Sequence, residues 1–217
     1  MTTTPSSARR LTGTLAAVAA ALLVAAPAAQ AQTTVSQTYD FENAGPRTAC
    51  LSGDQFGSYA GLTWTNAYIM NRTFGSGWVP GATSGVCTAY NGFGNMLTMS
   101  SATPFTLTSA QLTAGFRNGY QLSVEGFRVG QTAAAFTKVV PLSLTAPTLV
   151  DFDFADVHEV RFAAFNAGSQ DGHFVMDDLT ITRASTAPVP TVPEPGTWAL
   201  LGTGLAGLAG AARRRRA

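Results

Sequence analysis

The sequence predicts an all-β protein, a two-sheet antiparallel sandwich of jelly-roll type, flanked by an N-terminal signal peptide and a C-terminal hydrophobic helix. Segments 149–154, 157–166 and 174–182 alternate apolar and polar residues with period two, as half-buried strands do. Turn residues separate roughly eight or nine such short segments, which is typical of sandwiches. Only 12% of the residues are charged, and Thr, Ser and Gly are abundant, which suits an exported β-protein.

The body of the chain is predicted to span residues 32–185, which is long enough to bury a core. Eight strands are predicted at residues 35–41, 96–99, 105–116, 120–129, 136–144, 149–154, 157–166 and 174–182, and residues 61–68 and 86–90 could pair as strands as well. Glycine, asparagine and proline between residues 43 and 95 predict an irregular region around the two strands placed there. Pro141 lacks an N–H donor, so the segment that contains it is predicted to be an edge strand or bulged.

The N-terminus has the three parts of a secretory signal peptide. Arg9 and Arg10 precede an apolar run at residues 11–26, and Ala29-Gln30-Ala31 is a small-x-small cleavage site. We therefore expect residues 1–31 to be removed, and the mature chain to begin at Gln32. An uncleaved membrane anchor is the alternative.

The charge of the body differs from that of the whole chain. Setting aside the six arginines near the two termini and Glu194 leaves 7 of the 13 cations and 11 of the 12 anions. The body thus carries a net charge of about −4, and Lys138 is its only lysine. A mildly acidic surface without a basic stripe argues against nucleic acid as a partner.

The sequence contains two cysteines, Cys50 and Cys87. Export to an oxidising compartment predicts a disulfide between them. It would close a loop of about 38 residues, worth roughly 4 kcal/mol on the chain-entropy model. Two free, buried thiols are the alternative.

The C-terminus combines a Pro-rich linker (186–195) with an uncharged apolar segment and an arginine cluster (196–217). We predict a transmembrane helix here, although sixteen residues at about 1.5 Å each give only about 24 Å, short of the ~30 Å hydrocarbon core. The arginines resist translocation, so the C-terminus is expected on the cytoplasmic side of the inner membrane. A helix buried in a soluble domain is the alternative.

This tail resembles the PEP-CTERM sorting signal of Gram-negative bacteria. The residues that carry the resemblance are Val192, Pro193, Glu194, Pro195, Arg213, Arg214, Arg215 and Arg216. The resemblance implies recognition and processing by exosortase, a membrane-embedded cysteine transpeptidase. It further implies a transient membrane anchor, followed by delivery to the cell surface or an exopolysaccharide matrix.

The body is similar to jelly-roll domains that resemble carbohydrate-binding modules. The motifs behind this similarity are Tyr39-Asp40-Phe41-Glu42, Gly126-Phe127 and Phe174-Val175-Met176-Asp177-Asp178-Leu179. The resemblance implies that the first and last strands are neighbours. It also implies a structural Ca²⁺ ion between Glu42 and Asp177, with backbone carbonyls completing the oxygen shell.

Asp177 is the unusual residue of the last strand. Its register places it with Val175, Leu179 and Ile181 on the apolar face, where an unpaired carboxylate costs several kcal/mol. Besides calcium, the alternatives are a salt bridge to Arg117 or Arg161, or exposure at the strand end.

Aromatic residues in the Gly-rich region suggest a sugar-binding surface, because exposed rings stack on the apolar faces of sugars. They are Trp64, Tyr68, Phe74, Trp78, Tyr90 and Phe93. We take Trp78 and Tyr90 as the candidate glycan contacts. The alternative is that these rings cap the core and hold the loops in place.

The sequence gives no positive sign of a catalytic site. His158-Glu159 begins like a zinc-protease motif, but Phe162 stands where the second histidine is required, and His173 lies elsewhere. We therefore expect a non-catalytic surface or matrix protein, with glycan binding as a hypothesis. The alternatives are a purely structural matrix protein and a small secreted polysaccharide hydrolase.

Overall fold

A computed structural model describes residues 33–46, 50, 53–165, 172–185 and 195–215. The predicted signal peptide (1–31) and most of the linker, with Val192, Pro193 and Glu194, lie outside these residues, as does Arg216.

Nine strands and two α-helices occur within the described ranges. They are β1 (Thr34–Tyr39), β2 (Asp54–Tyr59), β3 (Leu62–Asn71), α1 (Trp78–Gly81), β4 (Cys87–Asn91), β5 (Leu97–Ala114), β6 (Gln121–Phe127), β7 (Phe136–Pro141), β8 (Thr148–Phe165), β9 (Phe174–Ala184) and α2 (Pro195–Arg214). Two 3₁₀ turns, Arg72–Phe74 and Gly92–Gly94, flank the segment that contains α1 and β4.

All strand pairs are antiparallel, in the order β1-β9-β4-β3-β5-β8-β6-β7, with β2 added at β3. Strand β9 also pairs with β5, so β3, β4, β9 and β5 form a closed cycle of hydrogen-bonded neighbours. This confirms the predicted all-β sandwich class. Its strands are joined in one continuous sheet that closes around the core.

Strands β5 and β8 make this continuity possible, because each runs for 18 residues. The start of β5 pairs with β3, whereas its later part, from Thr106 to Ala114, pairs with β9. Register shifts between Ser100 and Ser109 mark the β-bulges at which the strand changes partner. Each long strand was predicted as two short ones, because the bulges interrupt the period-two pattern.

The core lies between the inward faces of these strands. Its largest fully buried side chains include Phe41, Phe105, Phe162, Phe174, Leu107 and Met99. In β8, Val150, Phe152 and Phe154 are buried while Asp151 and Asp153 are exposed, which confirms the alternation expected from the sequence.

The irregular region between residues 43 and 95 is more regular than predicted. Strands β3 and β4 pair, as expected, but β2 was not anticipated. Phe56 is the only buried residue of β2, so this strand carries no alternating pattern. Strand β7 lies at the end of the strand order, which confirms the edge position predicted from Pro141.

The C-terminal segment forms a 20-residue helix, α2, with Arg213 and Arg214 in its last turn. Leu200, Leu201 and Leu205 are exposed, so α2 is not the buried helix of a soluble domain. Glycines and threonines dilute its leucines, and no helix in the described ranges combines the length and apolar character needed to cross a membrane. A helix is therefore present within the predicted segment, at Pro195–Arg214, and its transmembrane character stays a prediction.

Candidate functional site

A second apolar cluster lies on the face of the sheet opposite to the core. Met70, Trp78 and Val175 are its buried members, and Tyr90 packs against them. Tyr68 and Tyr90 are cross-strand partners in the β3–β4 ladder, so their side chains meet on this face. The short helix α1 covers the cluster.

Close backbone approach fixes α1 against the sheet. The N–H of Gly77 donates to the carbonyl oxygen of Gly115 at 2.9 Å. A Cβ at Gly77 would lie 1.7 Å from the carbonyl oxygen of Ala114, so only glycine fits there. A Cβ at Gly81 would lie 2.8 Å from Cγ1 of Val175. Trp78, at the start of α1, is thereby pressed onto the sheet and is only 1% exposed.

Trp78 is the centre of a continuous group of rings. Its ring centroid lies 4.9 Å from that of Phe74, 5.0 Å from Phe116 and 5.5 Å from Tyr90, all edge-on. Edge-to-face contacts of this kind stabilise by about 0.5–1.5 kcal/mol each beyond the area that they bury. The buried indole therefore holds the surrounding rings in fixed positions.

The rings around Trp78 form what we call the aromatic surface: Tyr68, Phe74, Tyr90, Phe93 and Phe116. Phe93 is 78% exposed, Phe74 52% and Phe116 41%. The centroids of Tyr68 and Tyr90 are 5.7 Å apart, and those of Tyr68 and Phe93 are 5.9 Å apart. Exposed rings therefore flank half-buried ones across β3, β4 and the end of β5.

A strained turn presents Phe93 to solvent. Phe93 has φ +54° inside the turn Gly92–Gly94, a left-handed conformation that is rare for an aromatic residue. The side-chain amide of Asn66 holds this turn by donating to the carbonyl oxygens of Gly92 (3.0 Å) and Met96 (3.1 Å). Such strain persists only where surrounding contacts impose it, so the position of Phe93 is a structural clue to function.

The aromatic residues predicted for sugar binding differ in how deeply they are buried. Trp64 belongs to the main core, with its indole N–H donating to the carbonyl oxygen of Tyr59. Trp78 is too deeply buried to stack on a sugar and supports the aromatic surface from below. Tyr90 lies half-buried within that surface. Sequence inspection missed Phe116, which was assigned only to the end of a strand.

His173 also joins this region, with its ring 5.1 Å from Phe116 and 6.2 Å from Tyr90. The backbone carbonyl of His173 accepts a hydrogen bond from the N–H of Gly115 and another from the hydroxyl of Tyr120. His158 lies elsewhere, with its Nδ1 3.0 Å from the carbonyl oxygen of Phe127. The two histidines are therefore in separate environments.

Asp177 is fully buried, but on a different face from the one predicted. Asp178 has φ +47°, and the β5–β9 register shifts between the pairs Ser109↔Thr180 and Gln111↔Asp177. This β-bulge reverses the alternation, so Leu179 points into the core whereas Asp177 lies on the same side as Val175. Asp177 is buried because the segment between α1 and β4 covers it.

Three groups donate to the Asp177 carboxylate. The N–H of Ser84 lies 2.9 Å from Oδ2 and that of Asp178 lies 2.8 Å from Oδ1. The Ser84 hydroxyl lies 3.2 Å from Oδ1, whereas the Thr83 hydroxyl, 3.2 Å from Oδ2, donates to Asp178 Oδ2 at 2.7 Å. Burial raises the pKa of Asp177 to about 6, and the Asp178 carboxylate adds to the rise, while the bonds from the Ser84 and Asp178 N–H groups oppose it. Arg161, one of the salt-bridge partners predicted for Asp177 as an alternative to calcium, instead pairs with Glu159, with 2.5 Å between Nε and Oε1.

This pKa predicts a pH-dependent stability in protein kept metal-free with EDTA. A raised pKa means that the stabilisation from protonating Asp177 is complete below about pH 3.8 and is lost as the pH rises through about 6. Two pKa units correspond to about 3 kcal/mol. Urea unfolding from pH 4 to 7.5 should show this loss in the wild type and a flatter profile in Asp177→Asn. Identical profiles for the two proteins would show that Asp177 titrates normally.

Glu42 binds the other end of the segment between α1 and β4 that covers Asp177. Its Oε1 accepts from the N–H of Val86 at 2.5 Å and of Cys87 at 2.7 Å. Gly85, with φ +55°, leaves the space for this carboxylate, since a Cβ there would lie 2.0 Å from Oε1. Glu42 and Asp177 thus bind opposite ends of residues 84–87 through backbone N–H groups. No group of three or more His, Cys, Asp or Glu side chains suited to a metal occurs in the described ranges.

A disulfide links Cys50 to Cys87 next to the segment between α1 and β4. The sulfurs of Cys50 and Cys87 are 2.01 Å apart, and Cys87 begins β4 directly after the segment held by Glu42. Both cysteines are buried. The bond fastens the chain before β2 to the strand that carries Tyr90.

Comparison with known proteins identifies the tail. Residues 191–216 match the family model described as the PEP-CTERM protein-sorting motif. The C-terminus is therefore a PEP-CTERM sorting signal, which confirms the prediction made from its residues. No curated protein matches the chain.

Several solved structures are similar to the body at low identity. The K2 cleaved adhesin domain of Lys-gingipain is 12% identical, with a TM-score of 0.44 over 69% of this chain and 99% of that one. TmCBM61, solved with beta-1,4-galactotriose, is 7% identical, with a TM-score of 0.36 over 59% of this chain and 92% of that one. The K1 cleaved adhesin domain of Lys-gingipain from Porphyromonas gingivalis W83 is 14% identical, with a TM-score of 0.38 over 70% and 99%. At these values the similarities carry no functional argument.

Proposed function

We propose that this chain is an exported surface protein whose β-sandwich binds glycan without catalysis and whose tail directs its delivery. The observation that carries the proposal is the aromatic surface, in which Phe93 is 78% exposed and yet held in a strained turn. Solvent exposure of several adjacent rings costs free energy, and such patches mark interaction sites.

Glycan fits this surface for two reasons. The exposed rings of Phe74, Phe93 and Phe116 offer flat apolar faces, which suit the apolar faces of sugar rings. Contacts with Trp78 and Tyr68 already hold these rings, so little side-chain entropy is lost on binding. Arg72 and Thr73, exposed beside Phe74, supply hydrogen-bond donors for sugar hydroxyls.

The tail completes the proposed function. Exosortase would recognise the sorting motif and process the chain, while the apolar helix and arginines hold it at the inner membrane with its C-terminus on the cytoplasmic side. The body would then reach the cell surface or the extracellular polysaccharide matrix. Support comes from the match at residues 191–216 and from the order of motif, helix and arginine cluster.

Alanine substitution tests the aromatic surface. We expect Phe93→Ala or Phe74→Ala to weaken binding to a neutral polysaccharide by about tenfold, which corresponds to ~1.4 kcal/mol. The measurement is affinity electrophoresis through gels that contain galactan, xylan or laminarin. Leu149→Ala is the matched control, because Leu149 is an exposed apolar residue outside the aromatic surface.

Three results would count against this proposal. Equal retardation of wild type, Phe93→Ala and Phe74→Ala would place any binding elsewhere. A wild type that binds none of the glycans on a broad array would favour a purely structural matrix protein. Release of sugars from any of these polysaccharides would indicate a hydrolase.

Calcium binding through Glu42 and Asp177 stays a prediction. Both carboxylates already accept backbone N–H donors, whereas Ca²⁺ takes six to eight oxygen ligands, so these residues alone offer a poor shell. If calcium binds, CaCl₂ should raise the melting temperature relative to EDTA, and Glu42→Gln should remove the rise. An unchanged melting temperature would refute the calcium hypothesis.

A further inference from the structure

A cavity of about 400 Å³ opens outside the aromatic surface. It lies where the start of β1 and the end of β9 meet the bulged stretches of β5 and β8. Its lining residues are Thr34, Thr103, Pro104, Phe105, Thr106, Asp156, Thr182, Arg183 and Ala184. None of them belongs to the aromatic surface, and the volume is within the range of small-molecule sites.

One hydroxyl of the cavity lining, that of Thr182, is held in a fixed orientation. It donates to Ser36 Oγ at 3.1 Å and lies 2.9 Å from the Thr108 hydroxyl. If Thr108 donates to Thr182, one lone pair of the Thr182 oxygen remains as an acceptor. The Thr182 hydroxyl is therefore preorganised to receive a donor.

Asp156 supplies the strongest acceptor of the cavity. It sits in the bulged part of β8 with φ +57°, and its carboxylate has no hydrogen bond or ion pair with any residue that the structure describes. Both of its oxygens can therefore accept from a ligand that carries adjacent hydroxyls. Pro104 and Ala184 provide an apolar surface beside these acceptors.

The charge around the cavity defines the ligand class. Asp156 and Arg183 are the charged residues of its lining, one of each sign, so the lining has no net charge. The Arg183 guanidinium is held by donating to the Tyr39 hydroxyl at 3.3 Å and to the Ala60 carbonyl at 2.7 Å, two neutral acceptors that leave its positive charge in place. A ligand rich in hydroxyls, uncharged, and with one apolar face fits all of these features.

We propose that this cavity is a binding site for a neutral saccharide, separate from the aromatic surface. It does not depend on the function proposed above, since the two sites share no residue. If both sites bind, one domain would contact two glycan segments at once. Bivalent attachment of this kind raises avidity and can link polysaccharide chains.

Saturation-transfer NMR of the full chain tests the site with D-galactose, cellobiose and D-galacturonate as probes. We expect signals from at least one neutral sugar and none from galacturonate. In the Phe93→Ala background, which weakens binding at the aromatic surface, Asp156→Gly/Thr182→Val should reduce the remaining neutral-sugar signal at least tenfold. Glycine accepts the positive φ at position 156, and valine matches threonine in shape, so the variant should fold, which its melting temperature checks.

Phe93→Ala separates this proposal from the preceding one. Retention of the neutral-sugar signal in Phe93→Ala, with its loss when Asp156→Gly/Thr182→Val is added to that variant, supports the cavity. Loss only in Phe93→Ala would overturn it, because binding would then lie at the aromatic surface alone. Equal binding of galacturonate, or the absence of any neutral-sugar signal in the wild type, would also overturn it.

Discussion

Replacing Trp78 with alanine is expected to lower the free energy of unfolding by about 3–5 kcal/mol. The indole is 1% exposed and contacts Phe74, Tyr90 and Phe116, so its removal leaves a cavity that α1 cannot fill. The indole N–H has no hydrogen bond to the described residues, so the substitution forfeits none and the loss comes from packing. Urea unfolding followed by circular dichroism measures the loss.

Phe74→Ala is the matched control for this substitution. It removes an aromatic ring from the same cluster, but Phe74 is 52% exposed, so the cost should stay below about 1.5 kcal/mol. We also expect Trp78→Ala to abolish glycan binding, because the exposed rings lose their support. A cost below 1 kcal/mol for Trp78→Ala would show that α1 does not pack on the sheet in this way.

Loss of the disulfide is the second large effect. Cys50→Ala/Cys87→Ala should lower the free energy of unfolding by about 4 kcal/mol, because the unfolded chain gains the freedom of a loop with a sequence separation of 37. Alanine avoids burying a new hydroxyl at either position. Urea unfolding under non-reducing conditions measures the difference.

Reduction provides the control for the double variant. Dithiothreitol should destabilise the wild type by a similar amount and leave the variant unchanged. Equal stability of the wild type with and without reductant would mean that the bond constrains little. Loss of the bond should also loosen the start of β4, where Cys87 follows the segment held by Glu42.

The sequence predicts strands well where burial alternates along them. Segments of β8 and the second half of β9 were recognisable because every second side chain enters the core. Strand β2 was not, because Phe56 alone is buried and the register shifts before Ser58. Its pairing with β3 depends on backbone hydrogen bonds, which leave no mark on the pattern of side chains.

The bulge at Asp178 shows a second reason why side-chain orientation could not be predicted from the sequence. Strict alternation of side chains predicted Asp177 on the core face, but the positive φ of Asp178 reverses the alternation. Aspartate tolerates this conformation better than most residues, so the pair Asp177-Asp178 is compatible with a bulge. It does not specify one, because the covering residues Thr83 and Ser84 are distant in sequence.

The aromatic surface was only partly predictable. Composition singled out Tyr68, Phe74, Tyr90 and Phe93, yet it could not separate buried Trp78 from them. That distinction depends on the contact of α1 with the end of β5, where Gly77 meets Gly115. Phe116 joins the surface through the same long-range contact, so no local signal identified it.

Mass spectrometry of the mature, surface-located protein from its native host tests processing of the tail directly. We expect a chain that has lost Arg213, Arg214 and Arg215 through cleavage at the sorting motif matched at residues 191–216. We also expect an intact bond between Cys50 and Cys87. A surface-located protein that retains its arginine cluster would contradict delivery by processing of the tail.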